Sequence, residues 1–187
     1  MNQRSPGDIP RRADVLDAAW RTFTRFGYRK TSMDDVAAEA RISRPGLYFL
    51  FTSKSGLFRE AAERAISHDL AAAERALMGS DRPIDGRVVD AFDCWAGHYI
   101  GPMRDTTALI QENPQMLGPI ALGGPQKFEA LLTSALEQSG LGEQTGVMVR
   151  TLISLSLGVK HQAADRAEYR RRMTDAVRLL WPAESAR

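Results

Sequence analysis

Apolar residues recur at steps of three and four along this chain, the spacing of one face of a helix. The strongest stripe, Leu16, Ala19, Trp20, Phe23 and Phe26, predicts a helix over 12–26 that Gly27 ends as a left-handed C-cap. A shorter set, Met33, Val36, Ala37 and Ala40, follows Ser32, and Asp35 completes a capping box with that serine. Residues 41–43 turn the chain. Ser43 then caps a second short helix carrying Leu47, Tyr48 and Phe51, with Pro45 in its first turn, where a missing N–H costs nothing. Ser53 caps the next element, whose apolar face runs from Leu57 and Phe58 through Ile66, Leu70 and Ala73 to Leu77, before Gly79 and Pro83 stop it. A rod of that length spans about 40 Å.

Beyond it, Val88, Phe92, Trp95 and Tyr99 share one face of a helix predicted over 84–100. The stretch 101–125 is rich in glycine and proline; a short helix over 106–112 with irregular chain after it is expected there. Three helices finish the chain, over 126–138, 143–161 and 166–181. The middle one is apolar on two sides, Met148, Leu152, Leu155 and Val159 on one and Val149, Ile153 and Leu157 on the other, so both sides must be covered. The reading is all-α.

Two short helices across a three-residue turn form a helix-turn-helix. Ser43, Arg44, Gly46, Tyr48 and Phe49 offer a hydroxyl, a guanidinium, a position without a side chain and two rings. Such short and planar groups suit a helix that enters a major groove with its N-terminal residues toward the bases. Lys54 stands in the first turn of the following helix, where ammonium and backbone N–H groups can share a phosphate. Periodicity alone fits a plain surface helix equally well.

The spacing of particular residues decides between them. Val15-Leu16-Asp17-Ala18-Ala19 with Phe23, Phe26-Gly27-Tyr28, Thr31-Ser32-Met33, Val36-Ala37, Ile42-Ser43, Gly46-Leu47-Tyr48, Phe51, Ser53-Lys54 and Leu57-Phe58 resemble the tetracycline-repressor (TetR) family of bacterial transcriptional regulators, over residues 12–65. The resemblance implies an N-terminal helix-turn-helix head of three helices at 1–55 and a helical ligand-binding and dimerisation body at 56–187. It implies a homodimer, most often a repressor, on a roughly palindromic double-stranded DNA operator, with an unidentified small-molecule effector. The expected DNA-binding residues are Thr31, Ser32, Ser43, Arg44, Pro45, Gly46, Tyr48, Phe49 and Lys54. In the family the last two helices pair with their copies, which places Leu152, Leu155, Leu157, Val159, Met173, Val177 and Leu180 in the seam. Two positions depart from the pattern. Arg41 stands where members usually have glycine, and Leu50 where they often have histidine, a possible phosphate donor.

The 187 residues are 43% hydrophobic and 26% charged, ample for a buried core and unlike a disordered chain. Net charge is only +2, but residues 1–55 hold ten Lys/Arg against six Asp/Glu, so the positive excess lies with the helix-turn-helix. Residues 1–10 read as a flexible arm. Its Arg4, with Arg11 and Arg12, carries the charge to lie in a minor groove, and a plain disordered terminus is the competing reading. Cys94 is the only cysteine, which suits a reducing cytoplasm, and neither a signal peptide nor an apolar run of membrane-spanning length is present. A cytoplasmic location is expected.

Phe92, Trp95 and Tyr99, with His98 beside them and Met103 and Met116 following, suit a pocket for a flat apolar or aromatic effector with one hydrogen-bonding group. The competing reading is that these rings only fill the core. Cys94 and His98, four apart, hint at a metal. Asp90 would lie about 12 Å from His98 along a helix, too far for both to hold one ion, and no metal or other cofactor is expected. Gly123-Gly124-Pro125-Gln126-Lys127 lacks the spacing of a phosphate loop, and no nucleophile elbow occurs, so no enzyme is expected. The rival function is a helical enzyme or small-molecule carrier with a vestigial DNA-binding unit; Arg44, Tyr48 and Lys54 argue against it.

Overall fold

The computed structural model describes residues 12–79, 81–100 and 114–181. These residues form eight α-helices and no strand: α1 (Arg12–Phe26), α2 (Met33–Ala40), α3 (Arg44–Leu50), α4 (Lys54–Met78), α5 (Ile84–Trp95), α6 (Pro114–Gln138), α7 (Thr145–Gln162) and α8 (Arg166–Leu180). Short 3₁₀ turns at Gly97–Tyr99 and Gly142–Gln144 follow α5 and precede α7. The chain divides into two compact units, and the boundary falls inside α4, between Ala65 and Ile66.

In the first unit the predicted stripe of α1 is buried at Leu16, Ala19, Trp20 and Phe23, with Val15 beside them, whereas Phe26 at its end stays 49% exposed. It meets Met33, Val36 and Ala37 of α2, and Leu57, Phe58, Ala61 and Ala62 complete the interior. The rings interlock. Phe58 stands edge-on to Phe23 at 5.0 Å between centroids and lies 4.9 Å from Tyr28. Gly27 ends α1 at φ +81°, as its position predicts.

The second unit contains the C-terminal part of α4, α5, most of α6, α7 and α8. Its interior is continuous from Ala73 and Leu77 through Val88, Phe92, Phe128, Leu132 and Leu136 to Leu152, Tyr169, Met173 and Val177. Where two buried hydroxyls fall in that interior they meet each other, Ser156 Oγ and Tyr169 Oη at 2.7 Å.

Three expectations need correction. The helix expected over 84–100 stops at Trp95. Asp93 is held by Arg166 and Arg170 of α8, and a Cβ on Gly97 would lie 2.3 Å from Asp93 Oδ1 and 3.2 Å from Tyr169. The bare glycine lets the chain leave the helix past that crowded ion pair. Cys94 and His98 therefore do not share a helix face. The stretch 114–125, expected to be irregular, is instead the first half of α6. Pro114 stands at its start, where proline is tolerated. Farther on, a Cβ on Gly124 would lie 2.9 Å from Ile66 and 3.2 Å from Trp95, so close packing needs the glycine that lowers helix propensity there. The predicted helix over 106–112 and the arm at 1–10 lie outside the described residues.

The third correction concerns the seam. Leu152, Val159, Met173 and Val177 are enclosed by their own chain, which removes them from any surface a second copy can touch. An apolar period cannot distinguish a core from an interface. Leu155, Leu157 and Leu180 remain exposed, together with Val147 and Leu179, the last at 84%.

Candidate nucleic-acid interface

Local capping chemistry builds the helix-turn-helix. Ser32 Oγ accepts the Asp35 N–H at 3.1 Å, and Asp35 Oδ2 accepts the Ser32 N–H at 2.8 Å, the predicted capping box. The Ser32 hydroxyl, donating to Asp35 Oδ2 at 2.6 Å, and then the Ser32 N–H hold the exposed Asp35 carboxyl below its usual range. At the other end of α2 the Arg41 N–H donates to Ala38 O at 3.1 Å and the Ile42 N–H to Ala37 O at 3.0 Å. That is a Schellman pair, and it requires Arg41 at φ 57°, ψ 42°. The turn is left-handed with arginine in the glycine position. Ser43 Oγ then accepts the Gly46 N–H at 3.1 Å, and Pro45 stands in the first turn of α3.

Leu47 is fully buried and anchors α3. Ser43, Arg44, Pro45, Tyr48 and Phe49 are exposed; Tyr48 keeps 42% of its surface and Phe49 89%. Gly46 is half-buried, and a Cβ there would crowd Ser43 Oγ at 3.1 Å. The Arg44 guanidinium is held on two sides. Its Nε lies 3.1 Å from Asp34 Oδ1, and its carbon lies 5.7 Å from the Tyr48 ring centroid. Lys54 starts α4 with its Nζ 4.4 Å from the centroid of Tyr28, whose ring is wedged against Phe23 and Phe58. Partial burial pushes the Lys54 ammonium below the usual lysine range, opposed by the Asp35 charge.

Thr31 is the DNA-binding expectation that the structure removes from the surface. It is 2% exposed, and its hydroxyl donates to Gly27 O at 2.9 Å, tying down the loop before α2. Ser32 is exposed, but its hydroxyl is engaged with Asp35. Arg12 is also committed: it donates to Leu50 O at 2.9 Å, meets Glu60 Oε2 at 2.5 Å and covers the Phe51 ring. It thus closes the end of α3 rather than extending an arm. Asp34 and Tyr28 were missed as supporting residues. An acid in the first turn of α2 and a ring in Phe26-Gly27-Tyr28 are visible in the sequence, but their partners lie 10 and 26 positions on.

The expected effector residues divide between two partners. Phe92, buried, meets Phe128 edge-on at 5.2 Å, while half-buried Trp95 stacks flat on Phe128 at 5.0 Å and 12°. Tyr99 is buried and its hydroxyl donates to Asp69 Oδ2 at 2.5 Å. His98 Nε2 lies 3.5 Å from Asp69 Oδ1. Burial pushes the Asp69 carboxyl up, against the Tyr99 hydrogen bond and the His98 charge. Met103 lies outside the described residues. A separate cavity of about 230 Å³ opens between the start of α5 and α8, lined by Arg82, Pro83, Val89, Arg170 and Val177 among others; none of the expected effector residues lines it.

The sequence profile of the bacterial regulatory proteins of the tetR family matches residues 15–61. The transcriptional activator FasR of Mycolicibacterium smegmatis is 35% identical over 162 residues, 82% of this chain and 72% of that protein. The chain belongs to the TetR family. The transcriptional repressor ComR of Escherichia coli is 32% identical over 94 residues, half of this chain but only 44% of the relative's own length. A TetR regulator from Legionella pneumophila shares the fold, with TM-score 0.74 at 17% identity over 97% of this chain and 100% of that one. Among the described residues no helix is long and apolar enough to cross a membrane.

Proposed function

We propose that this TetR-family chain is a ligand-responsive transcriptional regulator, acting as a repressor, that binds a palindromic double-stranded DNA operator as a homodimer through α3 and the start of α4. One observation carries the reading. A helix of only seven residues spends one buried leucine on anchorage and leaves Arg44, Tyr48 and Phe49 in water, at an N-terminus capped by the exposed Ser43. An 89%-exposed phenylalanine has no folding role; apolar contact with a thymine methyl suits it. The homodimer is supported by the exposed leucines of α7 and α8, two helices that pack on each other.

The effector reading, a small apolar or aromatic molecule, rests on Trp95 and His98, which keep surface among the expected residues that are described. A ligand that fits only the arrangement incompetent for DNA releases the operator through its differential affinity. Trp95→Ala should then leave operator binding intact and abolish release by a panel of flat apolar compounds. A large fall in Tm with joint loss of DNA binding assigns Trp95 to the core instead.

The deciding experiment is a gel shift with the DNA upstream of the protein's own gene at several salt concentrations. A specific complex that persists over a random duplex and weakens linearly in log–log form with salt is expected. Equal affinity for both duplexes returns the chain to the enzyme or carrier reading.

A further inference from the structure

We propose that Asp34 is a positioning residue for base recognition: its carboxylate holds Arg44 by one edge so that the opposite edge reads a guanine in each half-site. The inference rests on the operator-binding reading above and adds the base that Arg44 recognises and the residue that sets it.

The geometry is one-sided. Asp34 Oδ1 is 3.1 Å from Arg44 Nε, and the Tyr48 ring lies 5.7 Å from the guanidinium carbon. The Asp34 approach is at Nε, and the other end of the guanidinium carries the two terminal nitrogens, Nη1 and Nη2. These are two parallel N–H donors on a rigid plane, the pair that matches O6 and N7 of guanine in the major groove. An arginine free in solution must lose rotamer freedom to dock; one already held at Nε and against a ring loses less.

The charge balance points the same way. A carboxylate on a surface that meets a polyanion repels it, so an acid there needs a compensating use. The other acids of α1 and α2 have such uses: Asp35 caps α2, Asp17 pairs with Arg64, whose charge Asp14 also favours, and Glu39 pairs with Arg21. Asp34 pairs with the one arginine on the first turn of α3, where helices of this motif meet base edges. Both side chains are more than half exposed, so the pair does little for the fold. Its value lies in orientation.

The test uses the full-length dimer on the duplex it selects from random DNA. Each guanine of that duplex is replaced in turn by 7-deazaguanine, which removes N7 alone. The wild type should lose about tenfold in affinity at one guanine per half-site, and Arg44→Ala should lose that sensitivity, which identifies the base. Asp34→Asn should lose the sensitivity too, while its affinity for random duplex stays equal or rises because a negative charge is gone. Asp34→Asn that binds all DNA more tightly with the penalty intact makes the carboxylate a mere competitor for Arg44 and overturns the proposal. A wild-type complex insensitive at every guanine overturns it while leaving operator binding standing. A wild type that selects no sequence overturns operator binding itself, and this inference with it. Circular dichroism melts of both variants should match wild type, and a helix-terminus effect of Asp34 would move those melts without moving the base penalty.

Discussion

The two units of this chain are specified in different ways. In the first, α2, α3 and the start of α4 each follow a serine cap: Ser32, Ser43 and Ser53 each accept a backbone N–H from three residues on. In the second, Asp165 caps α8 in the same way, but α5 and α7 begin without any side-chain cap. Their ends are set instead by contacts between elements, such as Arg166 and Arg170 of α8 on Asp93 of α5. The first unit is coded by neighbours in sequence and the second by neighbours in space. Local coding frees the outer residues of α3 for a partner, whereas the second unit uses its long helices on one another.

The contrast is sharpest between two leucines on α7. Leu152 is fully buried, and Leu152→Ala should cost about 2–5 kcal/mol in chemical denaturation, the range for a truncated core leucine. Leu157, 52% exposed, should give the opposite pattern. Leu157→Lys should leave the unfolding of the isolated subunit unchanged and disfavour association by about 2–3 kcal/mol through an ion in the proposed seam. Sedimentation should show monomers, and operator affinity should fall with them. A Leu157→Lys protein that stays dimeric moves the seam elsewhere.

How much was legible follows the same division. The boundaries of α1, the Ser32–Asp35 box and both serine caps of the helix-turn-helix could be read from residues within four positions of each other. The end of α5 could not, because the reason for it is Gly97 against Tyr169, 72 positions away. Nor could α6, whose Gly124 reads as a breaker until Ile66 and Trp95 are placed against it. The two apolar sides of α7 were legible, but which of them is core was not, because Leu152 and Leu157 look alike in sequence. In the site, Arg44, Tyr48 and Phe49 were readable as exposed groups, while Thr31 was not readable as buried, since its hydroxyl also reaches back to the Thr22 carbonyl at 3.5 Å, nine positions earlier.

Lys54 tests whether the first unit's surface is as independent of its core as local coding implies. Lys54→Ala should lower operator affinity by about 1 kcal/mol and flatten the log–log salt slope by about one unit, with the dimer intact. Tyr28→Leu removes the ring under the ammonium while keeping an apolar filler against Phe23 and Phe58. Its effect on affinity should be in the same direction and smaller, with the slope unchanged because the charge remains. A Tyr28→Leu protein that loses one unit of slope shows that Lys54 reaches phosphate only when the ring presents it.

The smallest expected effect sits at the one place where the first unit's local code is broken. Arg41 is the only non-glycine among the described residues with positive φ, and it occupies the Schellman position after α2. A left-handed residue with a Cβ costs about 1–2 kcal/mol against glycine in the folded state. Glycine adds back-and-forth freedom to the unfolded chain worth about 0.4–1 kcal/mol. Arg41→Gly should therefore stabilise the protein by about 0.5–1 kcal/mol, seen as a higher denaturation midpoint at unchanged m-value. Strain kept at a cost points to a use for the side chain, and Arg41 is exposed at the turn between the two helices of the motif. Operator affinity measured on the same variant separates the cases. A more stable protein that binds DNA less tightly, with a salt slope lowered by about one, makes Arg41 a phosphate contact. A more stable protein with unaltered binding makes the arginine a tolerated departure, and an unchanged midpoint means that the turn relaxes around it without strain.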